Sequence, residues 1–219
     1  MHKPPIEAEH NCICAFADMP ILDFYSGYFD SVYIFLHPFY KVNEKLETTR
    51  IVSWNEMLSL TGFTHINQLD IALRNNIGGL VNKWKNDEDV EILKSVCEKF
   101  EILLPSEGLF QETLERQMLL SLKQRGHHYM FIADEFGYER KLADIQDYID
   151  GKDNTALQWG PQRNWYTNKH EILYTVHWDS HFTMLCSEKA TIESILKEQP
   201  FEGFYCNEET EIYWSCASR

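Results

Sequence analysis

The stretch from Glu171 to Cys186, EILYTVHWDSHFTMLC, is the longest clean two-residue alternation in the chain. All of its even-numbered positions except Ser180 are apolar, whereas the odd-numbered positions are mixed. Residues two apart on a strand share one face of a sheet, so this period is typical of a half-buried strand. We therefore expect one strand over 171–186 with a polar opposite face.

That opposite face would carry His177, Asp179 and His181 in a row. Two histidines at i and i+2 on a strand can share a divalent metal such as zinc, and a carboxylate such as Asp134 or Glu135 can complete a catalytic site. The spacing is not specific, because a half-exposed strand keeps its polar residues on the outer face. The alternatives are a solvated or cleft-lining face, a metal site, and general acid–base work by one histidine.

Aromatic residues near this stretch are candidates for lining a ligand cleft. Their side chains combine large contact areas with a polar handle. A role in the core or in anchoring a loop is the more common one for such residues. The candidates are Trp159, Trp165, Tyr166 and Trp178.

The rest of the chain divides into a helical middle and two strand-rich flanks. Ser53 and Glu56 have the spacing of a capping box, and Asn86 followed by acidic residues predicts another helix start. The predicted helices begin at Ser53, Thr64, Asn86, about Glu107, Arg140 and Ser187, and the other predicted strands are Ser31–Leu36, Tyr129–Ala133, Phe201–Cys206 and Glu211–Cys216.

This order of elements predicts an α+β fold. We expect a mixed or antiparallel sheet with helices packed against it, a helical middle section and a C-terminal β-α-β-β unit. A length of 219 residues suits a single domain over 1–219, and residues 1–20, which are rich in proline and lack periodicity, predict an extended N-terminal arm.

Charge restricts the partners. The chain has 34 acidic and 20 basic residues, for a formal net charge of −14. This balance disfavours nucleic acid and anionic membranes as partners and favours a basic protein. Neither charge nor pattern fixes an oligomeric state.

Compartment follows from the apolar runs and the cysteines. No run approaches the ~18 apolar residues of a membrane span, and the first residues lack the pattern of a signal peptide. Six cysteines are few for this length, which indicates reduced thiols rather than a disulfide framework. We expect a cytoplasmic protein.

Motifs for nucleophilic catalysis, phosphate binding and dinucleotide binding are missing from the sequence. We therefore assign no catalytic residue and expect no cofactor. The first hypothesis is a non-catalytic binding or interaction protein of an immunity or regulatory type. The alternative is a metal-dependent enzyme, perhaps a hydrolase, built on His177, Asp179 and His181.

Two segments carry a resemblance. SVYIFLHPFYKV (Ser31 to Val42) and HWDSHFTMLC (His177 to Cys186) are similar to an uncharacterised bacterial family of comparable length. The resemblance implies no activity, and no site residue follows from it.

Overall fold

Two antiparallel sheets form the framework of the protein in a computed structural model, which describes residues 12–152, 156–169 and 171–216. The larger sheet has the strand order β10-β1-β9-β8-β7-β5-β6, and the smaller has the order β3-β2-β4. The strands are β1 (Ser31–Leu36), β2 (Phe39–Val42), β3 (Thr48–Val52), β4 (Ile102–Leu103), β5 (Tyr129–Ala133), β6 (Arg140–Asp144), β7 (Asn164–Tyr166), β8 (Ile172–Thr175), β9 (Phe182–Ser187) and β10 (Gly203–Tyr205).

Helices cover both faces of the larger sheet. Val32 and Ile34 pack into one apolar cluster with residues of α2, α3 and α4, whereas Tyr33 and Phe35 pack into a second with α5, α6 and α7. The helices are α1 (Ile21–Phe24), α2 (Trp54–Thr61), α3 (Ile66–Asn76), α4 (Asp87–Phe100), α5 (Glu112–Gln124), α6 (Ile145–Ile149) and α7 (Lys189–Glu198), with short 3-10 helices at Asn82–Trp84 and Trp214–Cys216. The fold is α+β with antiparallel sheets, as the sequence predicts.

Local signals in the sequence place several elements correctly. The strands Ser31–Leu36 and Tyr129–Ala133 have the predicted bounds. The Ser53 side chain accepts a hydrogen bond from the Glu56 backbone, and Asn86 caps α4 through the backbone of Asp89. Such caps stabilise helix ends by satisfying amide groups that have no partner within the helix.

The predicted single strand over 171–186 is wrong, because this stretch is a hairpin of β8 and β9. The two strands pair with Tyr174 opposite Leu185, and the intervening turn closes with a hydrogen bond from the Ser180 amide to the His177 carbonyl. Tyr174 packs into the second apolar cluster and Met184 into the first. The alternation therefore continues through the turn while its apolar positions change face.

Three other predicted elements differ. The predicted helix over 140–149 is β6 followed by α6, since Leu142 pairs with Phe131 and Asp144 caps the helix. The helix expected from Glu107 begins at Glu112. Residues 211–216 form a turn and a 3-10 helix instead of a strand, so the predicted C-terminal β-α-β-β unit lacks its last strand.

The predicted N-terminal arm lies partly outside the described residues, since residues 1–11 are not among them. Residues 12–20 contain neither helix nor strand, and Cys12 and Cys14 are buried in the first apolar cluster. In the described part of the chain, no helix has the length and apolar character needed to cross a membrane.

Candidate functional site

The turn between β8 and β9 lies at one end of the larger sheet, where several strands begin or end. Thr175 pairs with Asn164 of β7, and Asn164 pairs with Ala133 of β5. The turn from Val176 to His181, the β5–β6 turn and the segment before β7 therefore meet at this end. The turn contains His177, Asp179 and His181, the three candidates for a metal or acid–base site.

His177, Asp179 and His181 are 6%, 0% and 2% exposed. A solvated face is therefore ruled out for them. The hairpin turn folds their polar groups inward, where each needs a partner inside the protein.

Asp179 accepts hydrogen bonds from three side chains. His177 Nδ1 lies 2.6 Å from Oδ1, Arg74 Nη1 lies 3.2 Å from Oδ1, and the Tyr213 hydroxyl lies 2.7 Å from Oδ2. Burial opposes ionisation of Asp179, but the hydrogen bond from His177 and the charge of Arg74 outweigh it and hold the pKa of this carboxyl below its usual value. Asp179 is thus a buried carboxylate.

Arg74 connects this turn to α3 and to the C-terminal segment. Its Nε donates to Asp70 one helical turn earlier at 2.8 Å, and its Nη2 donates to the Ile212 carbonyl at 3.0 Å. The Ser215 hydroxyl donates to the same Asp70 oxygen at 2.5 Å. Two carboxylates thus flank one fully buried guanidinium. Their charges compensate that of Arg74, while Asp70 Oδ1 is buried without a hydrogen bond from the described residues.

His181 and His37 lie beside each other next to this network. His181 Nδ1 is buried and has no hydrogen-bond partner among the residues that the structure describes, while His37 Nε2 lies 2.8 Å from the Thr183 hydroxyl. Burial lowers the pKa of His181 to about 4 and that of His37 to about 3. Both imidazoles are therefore neutral near pH 7.

His177 is the member of the network that can take part in proton transfer. Its Nδ1 is held by Asp179, which fixes the tautomer with the proton on Nδ1 and leaves a lone pair on Nε2. No hydrogen bond from the described part of the chain reaches Nε2, and the side chain is 8% exposed. The arrangement can accept a proton at Nε2 from a group that reaches the turn.

The structure does not assemble the side chains expected for a metal site. Asp179 already binds Arg74, whose charge would repel a cation at the same oxygen. Asp134 caps its own turn by accepting from the amides of Phe136, Tyr138 and Glu139. Among residues 12–152, 156–169 and 171–216, no group of three histidine, cysteine, aspartate or glutamate side chains is placed to hold a metal ion.

Trp178 points outward from the same turn. It is 48% exposed, whereas its neighbours in sequence are buried. The Gly108 amide donates to the Ser180 carbonyl at 2.9 Å, and a Cβ at Gly108 would lie 2.1 Å from the Trp178 carbonyl oxygen. The loop before α5 thus packs directly on the turn and fixes the backbone that presents Trp178.

The four aromatic candidates separate into two pairs. Trp165 and Tyr166 lie in β7 and are 1% exposed, so they belong to the core and do not line an open cleft. Trp165 packs against Phe110, and Tyr166 stacks on Phe131. Trp159 and Trp178 are exposed at the same end of the sheet.

Two exposed aromatic residues at this end were not predicted. Phe136 and Tyr138 lie in the β5–β6 turn, are 55% and 88% exposed, and have ring centroids 5.8 Å apart. The backbone amide of Trp159 donates to Glu139 at 3.0 Å. This bond joins the segment before β7, which contains Trp159, to the β5–β6 turn. We call Phe136, Tyr138, Trp159 and Trp178 the aromatic end of the sheet.

The sequence reasoning also missed Asp70, Arg74 and Tyr213. A signal for the first two was present, because Asp70 and Arg74 stand at i and i+4 on a helix and can pair. Nothing local marks Tyr213, which reaches Asp179 only through the fold of the C-terminal segment.

Comparison with known proteins places the chain in a family. Residues 17–216 match the family described as protein of unknown function, DUF2711. The chain belongs to this family. The chain is also similar to the uncharacterized protein YwbB of Bacillus subtilis (strain 168), with 22% identity over 173 residues, 78% of this chain and 75% of YwbB. No solved structure matches the chain. The resemblance to an uncharacterised bacterial family is confirmed.

Proposed function

We propose that this protein is a non-catalytic binding protein whose aromatic end of the sheet contacts a basic protein partner. The observation that carries the proposal is the half-exposed Trp178, whose neighbours His177 and Asp179 are buried in a network with Arg74. A large aromatic side chain on a fixed backbone contributes binding energy at low conformational cost.

Three further aromatic residues support this surface. Phe136, Tyr138 and Trp159 are each more than half exposed and come from loops at the same sheet end as Trp178. Phe136 and Tyr138 are also in contact, with ring centroids 5.8 Å apart, and exposed apolar patches often mark interaction sites. Aromatic residues are also enriched at the centres of protein interfaces.

Charge supports a basic partner. The formal net charge of −14 attracts a positively charged protein over distance and accelerates their encounter. The six cysteines are all free thiols, which fits a reducing compartment. We therefore infer that the encounter takes place in the cytoplasm.

Photo-crosslinking tests this proposal. A photoreactive phenylalanine analogue replaces Trp178 in the bacterium that carries the gene, and crosslinked proteins are identified by mass spectrometry. The matched control is Tyr28, which is aromatic, 51% exposed and located near the start of β1 at the opposite sheet end.

The two positions give opposite expectations. We expect one basic protein to crosslink from position 178 and from position 159 but not from position 28. Equal crosslinking from positions 178 and 28, or an acidic protein as the main product at 178, would contradict the proposal.

General acid–base catalysis by His177 is a second candidate function. Two observations favour it: Nδ1 lies 2.6 Å from Asp179, and no described residue bonds Nε2. This pairing prepares an imidazole to accept a proton. Two aromatic rings lie beside the imidazole: the ring centroid of Trp178 is 5.6 Å and that of Tyr213 is 6.1 Å from the centroid of His177.

A screen of ester, amide and phosphoester substrates tests the second candidate. The decisive comparison is wild type against His177→Gln, which keeps a polar side chain at the turn but removes the base. Turnover lost in this variant while crosslinking at position 178 persists would establish catalysis beside binding. Turnover equal in both proteins would exclude His177 as the base.

A further inference from the structure

A cavity of about 490 Å³ lies between α3, the 3-10 helix Asn82–Trp84 and the start of α4. Its volume is in the range of small-molecule sites in proteins. Trp84 and Ile71 supply apolar walls, and Ser215 of the C-terminal segment also lines it. None of the four residues of the aromatic end of the sheet lines this cavity.

Two lysines give this cavity a cationic side in a strongly acidic protein. Lys83 and Lys85 flank Trp84 and both line the cavity. Within residues 12–152, 156–169 and 171–216, neither ammonium group has a carboxylate within ion-pair distance, whereas arginines such as Arg50 and Arg125 are paired. Lys83 Nζ lies 4.9 Å from the centroid of the Trp84 ring, which holds this charge beside the indole.

The carboxylate that lines the cavity is already bound by neutral donors. Asp89 accepts from the Gln68 side-chain amide at 3.0 Å and from the Asn86 side-chain amide at 2.6 Å. Asp87 and Glu88 follow Asn86 in sequence but are not among the lining residues. Two lysines and one aspartate give the lining a formal net charge of +1 (2 − 1, with His65 neutral), and amide and aromatic groups complete it.

We propose that this cavity binds a small organic anion that carries a planar ring, with its phosphate or carboxylate at Lys83 and Lys85 and its ring against Trp84 and Ile71. A flexible ammonium group suits such an anion as a point charge, and an indole provides a flat apolar contact. The apolar wall distinguishes this site from one for an inorganic ion.

Calorimetric titration of the full chain tests the proposal with defined probes. Adenosine monophosphate presents a phosphate and a ring, benzoate presents a carboxylate and a ring, and adenosine is the neutral control. We expect at least one anion to bind and adenosine to bind at least about tenfold more weakly. Binding by the monophosphate alone identifies a phosphate ligand, and binding by benzoate alone identifies a carboxylate ligand.

Charge-matched variants assign the binding to this cavity. We expect the double variant Lys83→Ala, Lys85→Ala to weaken the anion at least about tenfold. The control Lys45→Ala, Lys197→Ala removes the same charge from exposed positions outside the cavity and should leave affinity unchanged. Thermal melts confirm that all variants are folded.

Three results would overturn the proposal. One is equal affinity for adenosine and its monophosphate. Another is wild-type affinity in the Lys83, Lys85 double variant. The last is no heat of binding from either anion at millimolar concentration. None of these outcomes bears on crosslinking at Trp178, so this inference and the proposed function fail separately.

Discussion

Arg74 Nη1 lies 3.2 Å from Asp179 Oδ1, and neither side chain is exposed to solvent. This contact joins α3 to the turn between β8 and β9, two segments that are 105 residues apart in sequence. Burying an ion pair costs several kcal/mol of desolvation per ion, which only a complete set of partners offsets. Here His177, Arg74 and Tyr213 all donate to Asp179, and these bonds fix the turn that presents Trp178.

Removing one partner from this network should destabilise the protein strongly. In Asp179→Ala, Asp70 is the one carboxylate of the network left beside the buried Arg74 guanidinium. The Nδ1 proton of His177 also loses its acceptor. We expect the free energy of unfolding to fall by about 3–5 kcal/mol. Urea denaturation monitored by tryptophan fluorescence measures the change.

The matched control for that variant is Glu198→Ala, which breaks the partly exposed pair of Arg125 and Glu198 at 3.0 Å. Exposed pairs contribute little, so we expect a loss below about 1 kcal/mol. Equal losses in the two variants would show that the buried network does not have the structural role assigned to it.

A second prediction concerns the 106–111 loop, which packs on the turn between β8 and β9. Gly108 has a φ of +61°, and a Cβ there would lie 2.1 Å from the Trp178 carbonyl oxygen. Gly108→Ala should therefore cost the unfavourable backbone conformation plus about 1–3 kcal/mol for displacing the turn.

Gly126→Ala isolates the conformational part of that cost. Gly126 also has a positive φ, +82°, but nothing lies within 4 Å of an added Cβ. We expect it to be destabilised less than Gly108→Ala in the same urea denaturation experiment. Similar values for both would mean that the loop moves away from Trp178 without cost.

Stability should decrease as the pH falls from neutrality. Burial lowers the pKa of His181 to about 4 and that of His37 to about 3, below the unfolded value of about 6.5. The unfolded chain therefore binds more protons below pH ~6.5. Stability is full above that value and falls as pH decreases towards the folded pKa values, by at most about 1.4 kcal/mol per pH unit for each histidine.

Urea denaturation at several pH values tests this dependence, and Glu115 must be removed from the comparison. Burial and the charge of Glu112 raise the pKa of Glu115 to about 7, which adds stability as pH falls and so opposes the histidines. In a Glu115→Gln background, His181→Gln should flatten the slope between pH ~6.5 and 4. An unchanged slope would contradict a neutral buried His181.

The metal content of the purified protein provides a further prediction. Because Asp179 is bound by His177, Arg74 and Tyr213, we expect purified, untagged protein to retain no stoichiometric zinc, iron, manganese or nickel. Elemental analysis measures this directly. One metal per chain that is lost in His177→Gln would instead support the metal-dependent enzyme, and a chelator would then lower the melting temperature.

The predictable parts of the fold are those set by neighbouring residues. The apolar run Ser31–Leu36 and the caps at Ser53 and Asn86 depend on local spacing, and the structure has them where the sequence places them. The prediction of one strand over 171–186 was wrong because an alternating pattern shows which residues share a face but not where the chain reverses direction. A turn that changes the face of its apolar residues leaves the same period in the sequence as a straight strand.

The candidate site was predictable only in part. The sequence singled out His177, Asp179 and Trp178, but it placed the first two on an outer face. Their inward orientation depends on Arg74 and Tyr213, which come from α3 and from the C-terminal segment. Such distant partners leave no spacing signal, so the ion network was visible only once the chain was folded.

The decisive test of binding at Trp178 is the Kd of the complex between the crosslinked partner and the Trp178→Ala variant. The free energy of unfolding of this variant should be close to that of the wild type, since Trp178 is half exposed. Loss of an aromatic anchor should raise Kd by about 30-fold or more, the equivalent of ~2 kcal/mol. Tyr28→Ala at the opposite sheet end should leave Kd unchanged. Equal affinity for wild type and Trp178→Ala would contradict the account, since the turn would then present no binding residue.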